Sequence, residues 1–174
     1  YDLVTGAELT VGMAFGSTAA GDACAIDALT VSSDGMTIHV AGTFTGASLT
    51  IGTTTLIPTS AFKPTPFVAT LSAPHAGFGA LTTVHASAPA YASSTFTPAT
   101  TGIASVCGMA VSAAGSDGGP SSAPQIYIAG LYHASDLTWG DFSIHSDAYE
   151  VAGSEDPSAA FVVAVDSASG DVVW

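Results

Sequence analysis

The chain almost lacks basic residues. Lys63 is the single lysine or arginine, against 14 acidic residues, and the formal net charge is −13. Proteins that bind nucleic acid neutralise phosphates with clustered lysine and arginine. The composition therefore excludes nucleic acid as a partner and disfavours an anionic membrane surface. We interpret the acidity as a source of solubility and of electrostatic repulsion between copies of the chain. Cation binding and a saline habitat are the alternatives.

Asparagine and long apolar runs are also missing. Without asparagine there is no N-x-S/T glycosylation site, whereas many serines and threonines leave O-glycosylation open. Apolar runs such as residues 161–165 fall far short of the ~20 residues that cross a bilayer, so we expect no membrane insertion. The first residues do not resemble a signal peptide, and we expect any such leader to have been removed or to lie outside this sequence. The Ser/Thr/Gly-rich, lysine-poor composition is typical of a secreted or cell-surface protein.

Cysteine is scarce. Cys24 and Cys107 are the two cysteines, and they do not form a C-x-x-C pair, so neither a zinc site nor thioredoxin-like chemistry is supported. They form either one long-range disulfide or two buried thiols. The secreted type of composition favours the disulfide, because disulfides persist outside the cell.

What the chain does contain is an internal repeat. The first copy has T-I-H-V-A-G at 37–42, L-T-I-G at 49–52 and F-V-A-T-L at 67–71. The second copy has Q-I-Y-I-A-G at 125–130, L-T-W-G at 137–140 and F-V-V-A-V at 161–165. The same spacing separates Gly42 from Gly130 and Gly52 from Gly140. We predict one all-β repeat region over 1–174, with a first repeat at 12–86 and a second at 103–174.

The two ends of the chain share a D-x-x-[S/T]-G turn, at residues 2–6 and 166–170. Both ends therefore lie at the same phase of the repeat, and we expect residues 1–11 to be the closing strand of a preceding unit. Such a chain is expected to belong to a longer array or to continue into a neighbour.

Each copy is predicted to consist of short strands. Aliphatic residues alternate with polar ones, turns are predicted at Asp34-Gly35, 118–120 and Ser169-Gly170, and no capped helical segment is found. Gly42 and Gly130 close two of these strands. A glycine in that place indicates a β-bulge or a close backbone approach, where a Cβ would clash.

In order, the motifs G-x-I-x-V-A-G, x-L-T-[I/W]-G, F-V-A-x-L/V and S-G-x-V-x-W resemble the repeat of secreted bacterial β-propeller proteins. The segment A-V-D-S-A-S-G-D-V-V-W at 164–174 is also similar to the repeat of quinoprotein-type propellers. The resemblance covers residues 2–174, apart from proline-containing insertions at 58–66 and 89–98. It implies about two four-stranded antiparallel blades, a partial β-propeller. Two blades cannot close a ring, so the alternative is a β-sandwich of two stacked sheets.

Candidate sites are weak. His39, His75, His85, His133 and His145 have no metal-binding spacing, and His39 occupies the position of Tyr127 in the other copy, which favours a role on a strand face. Oxygen ligands for Ca²⁺ could come from Asp136, Asp141, Asp147, Glu150, Glu155 and Asp156, although a solvated acidic rim is the favoured interpretation. Aromatic residues that could bind a sugar or simply pack are Trp139, Phe142, Tyr149 and Trp174.

No pattern of catalytic residues is found, so we expect neither an enzyme nor a cofactor, with Ca²⁺ as the one ion considered. The first functional hypothesis is an extracellular structural or adhesive module, or a filament subunit, that contacts other copies or neighbouring repeats through strand edges. The alternative is a carbohydrate- or calcium-binding module of a larger secreted protein.

Overall fold

Segments rich in Thr, Val, Ile and Ala alternate with short glycine-containing turns along the chain, and each such segment forms a β-strand. The computed structural model describes residues 10–11, 15–16, 22–32, 34–58, 64–72, 79–91, 104–112, 123–132, 136–145 and 159–174. Within these ranges every regular element is a strand, which confirms the all-β prediction. The strands are β1 (Thr10–Val11), β2 (Phe15–Gly16), β3 (Ala23–Val31), β4 (Thr37–Thr45), β5 (Leu49–Ile51), β6 (Thr54–Leu56), β7 (Thr65–Ser72), β8 (Gly79–Ala80), β9 (Thr82–Ser87), β10 (Ala90–Tyr91), β11 (Ala104–Val111), β12 (Gln125–Tyr132), β13 (Asp136–Trp139), β14 (Phe142–His145) and β15 (Ala159–Asp166).

Four antiparallel sheets are arranged as two similar pairs. The first main sheet has the order β3-β4-β7-β9, and the second main sheet has the order β11-β12-β15. Each is accompanied by a three-stranded hairpin sheet, β2-β5-β6 in the first copy and β10-β13-β14 in the second. A short parallel pair, β1 with β8, stands apart from them. None of the sheets formed by the described strands closes on itself.

The glycines that end the predicted strands occupy equivalent positions in the two main sheets. Gly42 lies opposite Phe67 and Gly130 lies opposite Phe161. Beside them, β3 has a register shift between Ile26 and Ala28, and β11 has one between Val106 and Gly108. A Cβ on Gly42 would overlap the carbonyl oxygen of Ala25 and the Phe67 ring, and one on Gly130 would overlap that of Ser105 and the Phe161 ring. The prediction that these glycines close their strands is wrong, because β4 continues to Thr45 and β12 continues to Tyr132. The close backbone approach is observed, and the bulge lies on the facing strand, β3 or β11.

The turns are also duplicated. In the hairpins β5-β6 and β13-β14, the two-residue loops begin with Gly52 at φ 59° and Gly140 at φ 60°. A positive φ at this place is what tight hairpin turns require and what glycine adopts without strain. In the main-sheet hairpins, the hydroxyl oxygens of Ser32 and Ser112 accept hydrogen bonds from the backbone N–H groups of Thr37 and Gln125, each at 2.9 Å. The two copies thus share backbone conformation as well as sequence.

Each hairpin sheet covers one face of its own main sheet. In the first copy the buried contact joins Leu49, Ile51 and Leu56 to Val40, Phe44 and Phe67. The Phe44 and Phe67 rings meet nearly edge to face, with centroids 6.2 Å apart, and Tyr132 and Phe161 repeat this contact at 6.2 Å in the second copy. The L-T-[I/W]-G segments therefore form a separate layer, whereas we expected them among the strands of one blade. This layered arrangement is compatible with the β-sandwich alternative.

The two copies pack through a second cluster of buried residues. Ala41 and Val68 of the first main sheet share this cluster with Val106, Ile126 and Ile128 of the second. The first main sheet is thus covered on one face by its own hairpin sheet and on the other by the second copy. At the far side of the second main sheet, residues 172–174 begin to pair along β15, with Val172 bridged to Val165 and the N–H of Ala164 donating to the Trp174 carbonyl at 2.8 Å.

Candidate functional site

A cleft of about 750 Å³ lies between the two copies, at the end where the main-sheet hairpins turn. Its walls are rich in hydroxyl groups from both copies. The polar side chains that line it are Thr30, Ser32, Asp34, Thr37, His39, Thr70, Ser72, Ser112 and Ser167. Asp34 accepts hydrogen bonds from the Ser32 hydroxyl at 2.6 Å and the Met36 N–H at 2.9 Å, so its carboxylate is engaged in the turn.

A polar row crosses the first main sheet beneath this cleft. Thr30, His39, Thr70 and His85 are consecutive cross-strand partners on β3, β4, β7 and β9, so their side chains share one face of the sheet. His39 is buried, and its Nδ1 lies 3.1 Å from the Thr70 hydroxyl oxygen. The ring nitrogen Nε2 of His85 donates to the carbonyl oxygen of Ser167 in the second copy, at 2.8 Å. The row therefore links the two copies by a hydrogen bond.

The surroundings of this row favour the neutral form of the His39 ring. Burial, and then the proximity of His85, lower the pKa of His39 below its ordinary value. Nδ1 of His85 is buried and has no hydrogen-bond partner among the described atoms. That nitrogen faces Gly170, where a Cβ would come within 2.7 Å of it. The two histidines thus serve as packed hydrogen-bonding groups, as the strand-face interpretation of His39 expects.

A second cleft, of about 760 Å³, opens beside the β13-β14 hairpin. Trp139 lies in its wall but is buried: its Nε1 donates to the Ser87 hydroxyl of the first copy at 3.1 Å, and its ring packs against Phe161 at 6.4 Å. The indole therefore joins the copies and presents little surface to a ligand. Asp141 and Asp171 also line this cleft.

The other aromatic candidates differ in accessibility. Phe142 and Trp174 are exposed, and the Trp174 ring lies 5.8 Å from that of Tyr127. Tyr149 lies outside the described residues. Phe142 and Trp174 are therefore the two aromatic candidates whose rings reach the surface among the described residues.

The predicted calcium ligands are only partly within the described ranges. Asp136 is 2.8 Å from Nδ1 of His145, both at the surface, and Asp141 is exposed in the β13-β14 turn. Asp147, Glu150, Glu155 and Asp156, as well as His75 and His133, lie outside the residues that the structure describes. Among the residues that it does describe, no three His, Cys, Asp or Glu side chains are grouped to hold a metal ion.

The predicted disulfide is wrong. Cys24 and Cys107 are both free, exposed and apart. Cys24 lies opposite Phe44 in the first main sheet, whereas Cys107 is the extra residue at the β11 bulge of the second. A disulfide requires Cα atoms within about 7 Å. The two cysteines lie in different main sheets, and the hydrogen-bonding register of each sheet sets their positions, so the fold keeps them apart. Partial burial, and then Asp27, raise the pKa of the Cys24 thiol.

An exposed apolar feature was missed by the sequence reasoning. Three side chains of the edge strand β3, Ile26, Leu29 and Val31, are 47%, 59% and 49% exposed. We call them the β3 stripe. The sequence does show that these positions are apolar in both copies, because Leu29 and Val31 of the first copy correspond to Met109 and Val111 of the second. It does not show that they are exposed in the first copy, since exposure depends on which surfaces the tertiary structure covers.

In the described part of the chain there is no long apolar helix of the kind that spans a bilayer. Comparison of the chain with protein-family models, with curated proteins and with solved structures finds no match.

Proposed function

We propose that this chain is a non-catalytic, extracellular structural or adhesive repeat module that assembles with units of its own kind. The observation that carries the proposal is the duplication itself: two copies with the same register, bulge and turns pack against one another. Packing of one copy on the next is the interaction that repeat proteins extend along an array.

The chemically versatile side chains of the inter-copy region support a structural role. His39 is bonded to Thr70, His85 to the Ser167 carbonyl and Trp139 to Ser87. Two of these bonds join one copy to the other. These groups therefore stabilise the junction between copies, which is what a scaffold requires of them.

We also propose that the units are β-propeller-like blades, following the resemblance of their motifs. The four antiparallel strands of the first main sheet and the packing of the second copy on its face support this assignment. The separate hairpin sheets are a departure from a simple four-stranded blade.

An alternative is a carbohydrate- or calcium-binding module. It is favoured by the exposed rings of Phe142 and Trp174, since exposed aromatic faces stack on sugars, and by the hydroxyl-lined cleft. Glycan-array screening and calorimetry with Ca²⁺ test it. Saturable binding that is lost in Trp174→Ala and kept in Trp139→Phe would support this alternative.

Self-assembly is tested by light scattering and negative-stain electron microscopy over a range of protein concentrations. The proposal expects concentration-dependent growth into dimers and longer, regular assemblies. A protein that remains monomeric at the highest attainable concentration would contradict the assembling role.

A further inference from the structure

The β3 stripe continues a core-forming face of the first main sheet. Ile26, Leu29 and Val31 pair in register with Gly42, Val40 and Ile38, and paired residues share one face of a sheet. Val40 on that face is buried with the first hairpin sheet. The stripe lies on the edge strand next to it and stays about half exposed. It is therefore an apolar surface that the described residues of this chain leave about half exposed.

The second copy shows what covers the same surface when a neighbour is present. By strand register, the residues equivalent to Ile26, Leu29 and Val31 are Val106, Met109 and Val111. Val106 is only 6% exposed, and Met109 and Val111 pack against the same cluster. Ala28, Ala41 and Val68 of the first main sheet belong to that cluster. In the second copy, a stripe of this kind thus packs against the small-residue face of the neighbouring main sheet.

The second main sheet carries a matching small-residue face that, within the described ranges, neither copy covers. Gly108, Ala129 and Val162 form one cross-strand row, equivalent to the row Ala28, Ala41 and Val68. We call this row the trailing face. Val68 is fully buried under the second copy, whereas Val162 is 52% exposed. The described structure therefore exposes the β3 stripe on the first main sheet. On the second main sheet it exposes the trailing face, which is equivalent to the surface that packs against the second copy inside the molecule.

The neighbouring row makes the trailing face more apolar than the internal one. Where the first main sheet has Thr30, His39 and Thr70, the second has Ala110, Tyr127 and Ala164. The exposed Trp174 ring lies beside Tyr127. Aromatic residues are enriched in the buried part of protein interfaces, and Tyr127 and Trp174 supply them beside the trailing face.

We propose that a second copy of the chain docks here, placing its β3 stripe on the trailing face of the first and repeating the internal contact between molecules. This inference rests on the proposed assembling function. It specifies the two surfaces that meet, the partner, which is another copy of the chain, and the direction in which the assembly grows. The contact joins two different surfaces, so each added copy exposes a new trailing face and the assembly grows head to tail. It uses sheet faces, whereas pairing of strand edges is the competing mode.

Directional cross-linking tests the geometry. In a Cys24→Ser, Cys107→Ser background, one preparation carries Ile26→Cys and another carries Val162→Cys. Mild oxidation of the mixture is expected to yield disulfide-linked dimers, and each preparation alone is expected to remain uncross-linked. A matched control replaces Ile26→Cys by Ile57→Cys, since Ile57 is 78% exposed and lies outside the stripe. Equal cross-linking with the Ile57→Cys control would overturn the proposal.

Self-association of the full chain gives the second measurement. Leu29→Asp puts a carboxylate into the stripe, and because Leu29 is exposed the fold should tolerate it; Ile57→Asp adds the same charge elsewhere. Sedimentation velocity is expected to show association at least about tenfold weaker for Leu29→Asp, with Ile57→Asp close to the parent, because a buried unpaired carboxylate is costly. Circular dichroism confirms that both variants are folded.

The outcomes separate the two proposals. If the parent chain assembles and Leu29→Asp assembles equally well, the stripe is not the contact and assembly proceeds through another surface, such as strand edges. If the parent chain stays monomeric at every concentration, both the docking of a second copy and the assembling function fail.

Discussion

At the scale of single residues, the clearest feature is the pair of equivalent glycines, Gly42 and Gly130. Each lies beside a bulge and directly under a phenylalanine ring, with a backbone carbonyl where a Cβ would project. Backbone atoms cannot move aside as the end of a flexible side chain can. These positions therefore require glycine for steric reasons, independently of any positive φ.

Gly130→Ala is expected to lower the free energy of unfolding by about 2–3 kcal/mol, because overpacking against backbone forces the strands apart. Gly108→Ala is the matched control in the same sheet, since a Cβ there would meet no atom within 4 Å. Urea denaturation followed by circular dichroism measures both variants. A loss for Gly130→Ala no greater than that of the control would show that the close approach relaxes freely.

At the scale of strands, the polar row of Thr30, His39, Thr70 and His85 is the unusual element. It lies on the face where the first copy meets the second, and it is held by the His39–Thr70 and His85–Ser167 hydrogen bonds. Protonation of the buried His39 ring costs free energy, because burial and the nearby His85 both disfavour its charge. The junction between the copies should therefore respond to pH.

Stability is expected to fall as the pH drops through and below the ordinary histidine pKa near 6.5. Burial and His85 lower the pKa of His39 in the folded chain, so the unfolded chain takes up the proton first. The contribution of His39 is thus present above that pH and lost below it. Asp34 is the one carboxylate among the described residues that line the cleft above His39, and it is engaged by Ser32 and the Met36 N–H.

The urea midpoint measured from about pH 7.5 to 5.5 tests this expectation, since most carboxylates titrate at lower pH. His39→Gln should flatten the pH dependence. His145→Gln should leave it in place, because the His145–Asp136 pair lies at the surface. An unchanged slope in His39→Gln would assign the pH dependence to other groups.

At the scale of the whole molecule, two properties oppose one another. The chain carries the apolar β3 stripe at one side and the trailing face at the other, yet its net charge of −13 makes every copy repel the next. Surface repulsion is screened by salt, whereas burial of apolar surface is not. The balance between them should set when copies associate.

Association is therefore expected to strengthen as salt rises from about 50 to 500 mM, over which the Debye length falls from roughly 14 Å to 4 Å. Sedimentation equilibrium at each salt concentration measures the change. Leu29→Asp should show little association at either concentration, which distinguishes screening at the docking contact from general salting-out. Weaker association at high salt would instead indicate that ion pairs hold the copies together.

Several elements followed from local patterns alone. Alternation of aliphatic and polar residues predicted strands, and the segments at 37–42 and 125–130 lie within the central strands β4 and β12, which continue to Thr45 and Tyr132. The glycines of these segments were predicted to mark a bulge or a close approach, and the close approach is observed. Such features are local, because strand periodicity and turn chemistry depend on residues near in sequence.

Other features depended on contacts between distant residues. The partner of each cysteine, the burial of Trp139 beside Ser87, and the separation of the L-T-[I/W]-G hairpins into their own layer all depend on how sheets stack. Sequence by itself determined the all-β class, the duplicated pattern and the places where only glycine fits, because these follow from short-range sterics and periodicity. Only the tertiary structure decided which apolar faces are buried and which remain open, since burial is a property of the whole packed chain and not of any one strand.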